Sequence, residues 1–431
     1  MSNFWDQQNE CMDREAIRQV QLERLQATLN RVYKNVRHYR QAFREIDFVP
    51  DDLTDLDHLT RLPLTTRAIL RENYPYDMFA VPLREVVRLH APALTMDKPQ
   101  VVGFTANDLK NWGMLMARGL SSVGVNNEDV VQVALVPGKL IGPFGLQLGT
   151  EQIGASVIPM SVGRLASQSK VMRDFRATAF VSTPTFAMRL IDEMEHQNIS
   201  VMDLSLKYGI FGSEPWSEAT RTELESALRI TATDVYGLKE VFGPGLAWEC
   251  PAKNGLHLFE DHFIPEIIDP QTAKPLPPGS EGELVITTLT KEAYPLIRFR
   301  TGDLARIDDI PCSCGRTHCR ISRIFKRCDG AIVMRGGSIV PEQVGALLAA
   351  ENGHIPDYQL LVENRGGQDH LTVLIRISDN IFFDEMGKQR TYMERLHRLV
   401  NEFLGWEATI RMVEQGAFDP ADRVRDERNL Q

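Results

Sequence analysis

The sequence predicts an α/β protein with a large, layered N-terminal domain that carries a small β-unit, followed by a small α+β domain. Short apolar runs alternate with helical stretches after residue 105, which is typical of parallel strands covered by helices. Near residue 256 the pattern changes to alternating runs joined by the proline-rich turn PQTAKPLPPGSEG. The segment after residue 328 has the mixed pattern of a domain of about a hundred residues. The predicted domains are therefore 1–328 and 329–431.

The elements follow in order along the chain. Apolar residues at helical spacing between residues 14 and 46 predict one long or two shorter amphipathic helices. Pro63 and the TTR after it are typical of a loop and N-cap before the next helix. Strands are predicted at residues 129–137, 155–160, 178–184 and 206–215, and a hairpin from HLFEDHFIPEIID and EGELVITTLT. The last domain has the strands IVMRGG, YQLLVEN, HLTVLIRI and WEATIRMVE, with a helix near 390–403.

Composition excludes several classes of function. The chain has 43% hydrophobic and 25% charged residues and no apolar run of about 18 residues, so a membrane span is not expected. A formal charge of −10 gives no general attraction for nucleic acid. The N-terminus carries acidic residues where a signal peptide has a basic start and an apolar centre. We therefore expect a cytoplasmic protein.

The cysteines cluster in the later part of the chain, which in a reducing compartment favours metal binding or burial over disulfides. Cys312 and Cys314 belong to a Cys-x-Cys-Gly turn, and Cys250 and His257 precede it. Thiolates from one turn with a remote Cys and His predict a structural, tetrahedral Zn²⁺ site. His318 and Cys319 compete for the fourth position, and a set of buried thiols without metal is the alternative.

Four stretches, in order and spacing, resemble the motif series of adenylate-forming enzymes of the phenylacetate–CoA ligase type. They are HAPALTMDKPQVVGFT, FGSEPWSEATR, DVYGLKEVFGPG, and PLIRFRTGDL followed by RISRIFKRCDGAIVMRGGSIVP. The resemblance implies a fold of the adenylate-forming type and the use of ATP, Mg²⁺ and coenzyme A. It also implies that a carboxylic acid is activated as an acyl-adenylate and transferred to a thiol.

The resemblance also implies roles for individual residues. Glu240 matches a residue that helps to hold Mg²⁺, Asp303 one that binds the ribose, and Asp329 the hinge between the domains. The remaining positions implied to contact the nucleotide are Ser213, Glu214, Pro215, Tyr236, Gly237, Arg327 and Lys98. The walls implied for the acyl pocket are Phe144, Phe242, Gly243 and Pro244. This apolar set favours an aromatic carboxylic acid.

The phosphate loop departs from the family pattern. Where the family has approximately Ser-Ser-Gly-Thr-Thr-Gly-Lys-Pro, residues 92–99 read PALTMDKP. A loop that holds pyrophosphate needs glycines and inward N–H groups or hydroxyls, and these are lost. Asp97 adds a charge that opposes a phosphate by about 1 kcal/mol at ~4 Å in water, and by several times more without water.

A second departure affects the same half-reaction. The family's C-terminal lysine, which neutralises charge as the adenylate forms, is matched by Asp419 and Pro420, and no lysine follows Lys388. Losing such a contact commonly lowers the rate by orders of magnitude. Lys239 stands where the family has Ser or Thr, and it either supplies the missing charge or is a solvent-exposed or Glu240-paired lysine.

Three functions therefore compete. The first is ligation of an acid to CoA or to a carrier-protein thiol with an altered ATP site, and the match at Tyr236, Glu240, Asp303 and Arg327 favours it. The second is acyl transfer from a pre-activated thioester. The third is a non-catalytic acyl- or nucleotide-binding protein. We predict the first, as an enzyme that forms a homodimer and binds neither nucleic acid nor membranes.

Overall fold

The computed structural model describes residues 4–91, 100–136, 141–335, 337–365, 368–377, 386–428 and 430. Within this part of the chain, no helix is long and apolar enough to cross a bilayer. Its helices are α1 (Gln7–Glu10), α2 (Arg14–Asn35), α3 (Arg37–Glu45), α4 (Arg67–Glu72), α5 (Ala106–Ser122), α6 (Gly142–Ile153), α7 (Leu165–Asp174), α8 (Pro184–His196), α9 (Glu218–Leu228), α10 (Pro341–Asn352) and α11 (Met386–Leu404). Short 3-10 helices lie at Pro50–Asp52, Leu56–Arg61, Leu83–Glu85 and Val201–Asp203.

The strands of the N-terminal part form a large mixed sheet and two smaller sheets. The strands are β1 (Arg88–His90), β2 (Val102–Phe104), β3 (Val130–Ala134), β4 (Ser156–Met160), β5 (Ala179–Ser182), β6 (Tyr208–Gly212), β7 (Thr231–Leu238), β8 (Gly243–Glu249), β9 (Leu256–Leu258), β10 (Phe263–Ile268), β11 (Gly282–Thr288), β12 (Phe299–Ala305), β13 (Ile307–Asp308) and β14 (Arg320–Ile321). The large sheet has the order β13-β14-β9-β8-β7-β6-β5-β3-β4. Its pairs from β4 to β7 are parallel and its pairs from β7 to β13 are antiparallel. The other sheets are β1-β2 and β10-β11-β12, both antiparallel.

The C-terminal part has its own sheets and its own core. Its strands are β15 (Ile332–Met334), β16 (Gly337–Ile339), β17 (Tyr358–Arg365), β18 (Gln368–Arg376), β19 (Thr409–Val413) and β20 (Val424–Asp426), in the orders β15-β16 and β19-β18-β17-β20. A separate hydrophobic cluster joins Leu348 of α10, Leu360 and Val373 of this sheet, and Leu396 of α11. The first member of that cluster along the chain is Ile332.

Parallel strands in the middle of the large sheet are buried on both faces, as expected where helices cover both sides. All four residues of β5 are buried, and so are the last four of β3. The polar member of β3, Gln132, is fully buried, and its Nε2 donates to Oε1 of Gln168 in α7 at 2.7 Å. Helix α7 therefore satisfies the amide donor of the polar group that interrupts the apolar run.

The predicted fold class is confirmed, and the predicted strands correspond to β3, β4, β5 and β6. The N-terminal helical segment is two helices, because the backbone of Val36 is extended between α2 and α3. The strand predicted to reach residue 215 ends at Gly212, since Ser213 has a φ of 69°. The predicted hairpin is β10 and β11, and the segment FRTGDLA adds β12 to it.

Candidate active site

A cavity of about 1270 Å³ lies at the carboxyl ends of the parallel strands. Ser182, Gly212 and Tyr236, from β5, β6 and β7, line it on the N-terminal side. Trp406 and Arg428 line it from the C-terminal part. The carboxyl edge of an open parallel sheet is where ligands of such folds bind, so we take this cavity as the candidate active site.

A chain of polar contacts links four of the predicted residues in the cavity. Tyr236 Oη donates to Oδ2 of Asp303 at 2.6 Å, and Arg327 Nη1 donates to the other oxygen, Oδ1. Arg327 Nε donates to Oδ1 of Asp329 at 2.8 Å. Burial raises the pKa of Asp303 above its ordinary value, although the Arg327 guanidinium and the Tyr236 hydroxyl oppose the shift.

The position of the loop after β6, residues 213–215, depends on the close packing of β6 against β7 and on a hydrogen bond to Glu214. A Cβ at Gly212 would lie 2.3 Å from the carbonyl oxygen of Val235, so glycine permits the close approach of β6 and β7. Buried Glu214 accepts a hydrogen bond from the backbone N–H of Thr185 at 2.7 Å. Ser213, Glu214 and Pro215 all line the cavity.

Glu240 is buried and paired with an arginine that the sequence analysis did not identify. Arg67, the first residue of α4, donates through Nε to Oε1 of Glu240 at 3.1 Å. Its Nη1 donates to the carbonyl of Thr301 at 2.7 Å and lies 3.9 Å from Oδ2 of Asp329. Burial raises the pKa of Glu240, but Arg67 and Lys239 lower it, and the net pKa lies below its ordinary value.

One feature of the sequence could have identified Arg67 as a site residue: Arg67 and Arg71 are four residues apart on one helix. Residues four apart lie on the same face of a helix, and both side chains line the cavity. Lys239, also on the lining, is exposed. We call the group formed by Arg67, Tyr236, Glu240, Asp303 and Arg327 the polar end of the cavity.

Another part of the lining is aliphatic. We call this part the apolar end, formed by Leu135, Ile141, Leu146, Val181 and Ile210 with Gly243 and Pro244. A Cβ at Gly243, whose φ is 94°, would lie 2.7 Å from Ile141. Sequence analysis identified Gly243 and Pro244 but none of the aliphatic side chains, because apolar residues at strand and helix ends look like ordinary core.

The structure brings most of the predicted nucleotide and acyl residues to the cavity and leaves two of the described ones, Phe144 and Phe242, away from it. Those on the lining are Ser213, Glu214, Pro215, Tyr236, Gly237, Lys239, Glu240, Gly243, Pro244, Asp303, Arg327 and Asp329. Phe242 is fully buried against Phe104 and Phe263, behind the lining. Phe144 is half-buried and contacts His90 and Arg88. Lys98, with the rest of residues 92–99, lies outside the described residues.

The predicted zinc ligands converge at a separate place. One ligand atom from each of Cys250, His257, Cys312 and Cys314 lies within 4.8 Å of the other three. The Cys250 and Cys312 sulfurs are 3.7 Å apart, and Cys314 Sγ is 3.3 Å from His257 Nε2. Sulfurs at ~2.3 Å from a tetrahedral Zn²⁺ are about 3.8 Å apart, so the group has the dimensions of a zinc site.

The competing ligands are directed elsewhere. His318 accepts the N–H of Glu260 at Nδ1, at 2.8 Å, and its Nε2 is 2.8 Å from the carbonyl of Asn9. Cys319 is buried and does not belong to the converging group found among the described residues. The Nδ1 of His257 lies 3.2 Å from the carbonyl of His318, the kind of contact that orients a metal-bound imidazole.

Comparisons with known proteins agree with this architecture. The family model of the AMP-binding enzymes matches residues 144–290, and that of the AMP-binding enzyme C-terminal domain matches residues 336–428. Phenylacetate-coenzyme A ligase of Aromatoleum evansii is 40% identical over 97% of this chain and 96% of its own. The enzyme of that name from Escherichia coli (strain K12) is 40% identical over 95% of each chain.

A solved structure shares the whole arrangement. It is 2-hydroxyisobutyryl-CoA ligase in complex with 2-HIB-AMP and CoA in the thioesterification state, with a TM-score of 0.90 and 25% identity over 98% of this chain and 92% of that one. The same ligase in the postadenylation state, with 2-HIB-AMP, gives a TM-score of 0.73. Family models, relatives over nearly the full length and the shared fold lead to one conclusion: the chain belongs to the phenylacetate–CoA ligase family of adenylate-forming enzymes.

Proposed function

We propose that this protein activates an aromatic carboxylic acid as its acyl-adenylate and transfers the acyl group to the thiol of coenzyme A. The observation that carries the proposal is the single cavity, which joins a polar end with paired charges to an apolar end without a charged side chain among its described members. An acyl-adenylate has the same two halves. The family's use of ATP, Mg²⁺ and CoA supports the same assignment.

At the polar end, we assign nucleotide binding to residues already held in place. Each oxygen of Asp303 accepts one protein hydrogen bond, and a carboxylate oxygen has a second lone pair for a ribose hydroxyl. The bond to Asp303 orients the ring of Tyr236 for contact with adenine. Glu240 supplies the hard oxygen ligand that Mg²⁺ prefers, and the ion, when bound, neutralises charge on the phosphates.

We assign the acyl group to the apolar end. Its aliphatic side chains suit a flat, apolar group and offer no partner for a second charge, whose burial would be costly. Gly243 and Pro244 restrict the width of this end because Gly243 has no room for a Cβ. An aryl acid such as phenylacetate is therefore the proposed substrate class.

We propose that the described arrangement is the thioester-forming one, with 1–328 and 329–431 as the two domains. The higher TM-score with the thioesterification state supports this. The C-terminal part has a core of its own that begins at Ile332, and the proposed hinge residue, Asp329, precedes it. Asp419, in the place of the adenylation lysine, is exposed and does not belong to the cavity lining, as expected when adenylate formation is complete.

Adenylation without the usual loop and lysine requires other cations. Arg67, Arg71 and Lys239 line the cavity, and we propose that Lys239, exposed and next to Glu240, supplies part of the charge lost from the C-terminal segment. Arg67 already pairs with Glu240 and Asp329, so its positive charge is less available to phosphates than that of Lys239.

The direct test is acid-dependent exchange of pyrophosphate into ATP with a panel of aryl and medium-chain acids. We expect exchange with an aryl acid and a loss of about tenfold or more in Lys239→Ala. The exposed Lys170 of α7 supplies the control, Lys170→Ala, which should exchange normally. Equal rates in both variants would contradict the role of Lys239.

The altered loop and the absent lysine favour a second candidate, acyl transfer from a pre-activated thioester. An assay of acyl transfer from phenylacetyl-pantetheine to CoA, without ATP, distinguishes acyl transfer from ligation. Transfer without exchange for any acid would replace ligation by acyl transfer. Absence of both reactions, with AMP binding retained, would favour a binding protein.

We also propose a structural Zn²⁺ held by Cys250, His257, Cys312 and Cys314. The convergence of these four side chains and the distances between their ligand atoms support the proposal. Because Cys250 follows β8, His257 lies in β9 and the other two cysteines lie in the loop before β14, a bound metal would link these three segments. Elemental analysis of the purified protein should find one zinc per chain, and a preparation without zinc would contradict the proposal. The homodimer and the cytoplasmic location stay predictions.

A further inference from the structure

Lys291, in the segment after β11, is buried with its ammonium against two aromatic rings. The residue is 2% exposed, and its Nζ lies 3.1 Å from the ring centroid of Phe104 and 4.5 Å from that of Phe242. Among the described residues, no acceptor lies within hydrogen-bond distance of Nζ. Burial of an ammonium without a partner is costly, so a role that compensates for the cost is expected.

The carboxylate that raises the pKa of Lys291, Asp108, is already engaged in hydrogen bonds. Asp108, near the start of α5, accepts the backbone N–H groups of Thr105, Glu292 and Ala293 at 2.9, 2.6 and 3.0 Å. It forms no hydrogen bond with Nζ of Lys291, although its charge raises the pKa of the lysine. The contacts that hold the ammonium are the faces of the two aromatic rings, which attract a cation through their quadrupoles.

These rings support the wall of the apolar end. Phe104 stacks on Trp112 with centroids 5.2 Å apart and planes at 18°. Trp112 Nε1 donates to the carbonyl of Pro244 at 2.9 Å, and Phe242 directly precedes Gly243. A Cβ at Gly243 would lie 3.2 Å from Trp112, so a shift of the stack would move the wall.

We propose that Lys291 is a positioning residue for the acyl-binding wall: its ammonium holds Phe104 and Phe242 together, and through them Trp112 and Pro244. The acyl group itself touches the wall and not the lysine, which does not line the cavity. This inference rests on the proposed function in that the apolar end is taken to bind an aryl acid.

The charge on Lys291 makes the proposal testable by pH. Burial lowers the pKa of Lys291 to about 7, although Asp108 raises it. The ammonium and its ring contacts are therefore present below that pH and lost above it. Among the described residues, the titratable groups that act on Lys291 are Asp108 from α5 and His90 from β1, and burial lowers the pKa of His90 to about 4. His90 thus stays neutral across the transition.

The experiment compares the wild type with Lys291→Met, which keeps the volume and removes the charge, and with Lys274→Met, an exposed control. Near-ultraviolet circular dichroism reports the aromatic stack, and calorimetry gives the dissociation constant of phenylacetate. We expect a dichroism transition near pH 7 in the wild type and the control, and none in Lys291→Met. At pH 6 phenylacetate should bind about tenfold more weakly to Lys291→Met, and at pH 8.5 equally to both.

The outcomes separate this inference from the proposed function. A wild type that binds no aryl acid would overturn the proposed function, and the dichroism titration would still decide whether Lys291 positions the stack. Equal dissociation constants at pH 6, or the same transition in Lys291→Met, would overturn the positioning role. If Lys291→Met does not fold, Lys291→Arg takes its place: it stays charged, so its dichroism should not change near pH 7, and a transition there would overturn the proposal.

Discussion

The two ends of the cavity are built differently. At the polar end, side chains from distant segments hold one another: Tyr236 and Arg327 bond Asp303, and Arg67 bonds Glu240. At the apolar end, shape is set by the absence of side-chain atoms at Gly243 and by rings packed behind the wall. Ligand affinity at the polar end should therefore fall when a single charge is lost, and ligand affinity at the apolar end should fall when side-chain volume is added.

The largest expected effect is at Asp303. Asp303→Asn removes the charge that Arg327 and a ribose share, and hydrogen bonds to charged groups are the strong ones. We expect AMP to bind about a hundredfold more weakly, through loss of two charge-assisted contacts of ~1.5 kcal/mol each, with phenylacetate affinity nearly unchanged. Calorimetry with both ligands measures this. The control is Asp203→Asn, at an exposed residue of a short 3-10 helix. Parallel loss of both affinities would contradict the division between the ends.

Gly243→Ala should give the reverse pattern. The added Cβ would lie 2.7 Å from Ile141 at a φ of 94°, so the wall must shift into the apolar end. We expect phenylacetate to bind about tenfold more weakly and AMP to bind within about threefold of the wild type. Gly279→Ala is a matched control, because it has a φ of 78° and no heavy atom within 4 Å of the added Cβ. An unchanged phenylacetate affinity would contradict the assignment of Gly243 to the wall that contacts the acyl group.

The Cys/His group lies outside both ends, so it should change stability and not affinity. Cys312→Ser should lose the zinc and lower the midpoint of thermal unfolding by about 5 °C, with AMP and phenylacetate affinities retained. Differential scanning calorimetry and elemental analysis measure the two effects. Cys328→Ser, at an exposed cysteine, is the control. An equal midpoint for both variants would argue against a structural metal.

The smallest expected effect is a pH dependence of the polar end. Because the pKa of Asp303 is raised by burial, the carboxylate begins to be protonated at a higher pH than an ordinary aspartate and then accepts fewer hydrogen bonds. Adenosine, which has no phosphate to titrate, should therefore bind more weakly at acidic than at neutral pH. Fluorescence titration of the wild type and Asp303→Asn checks this, since the variant should show no such change.

Much of the polar end was predictable because its residues occur in local motifs. Glu240 follows YGLK, and Asp303 lies in RTGDL, so each was identified within a short stretch. The Cys/His group proposed to bind zinc was predicted as a set for a similar reason, since a Cys-x-Cys-Gly turn presents two thiolates by local geometry. The fourth ligand is the part that required the fold, because His257 is brought to the cysteines by the pairing of β9 with β14.

The assignment of Phe144 and Phe242 as acyl walls shows where local reasoning ends. Both are aromatic and lie in the expected stretches, yet Phe242 is in the core against Lys291 and Phe144 packs on His90. An aromatic side chain next to a site can pack either against a ligand or against other aromatic rings. Only the positions of distant strands determine which of the two it meets.

By itself, the sequence determined the order of helices and strands and the residue types at the polar end, because these depend on periodicity and on short motifs. Tertiary structure alone decided the order of strands in the sheet, the pairing of Arg67 with Glu240 and the burial of Lys291 between Phe104 and Phe242. The physical reason is that a charge or a ring has many acceptable partners, and the choice among them is made by long-range packing.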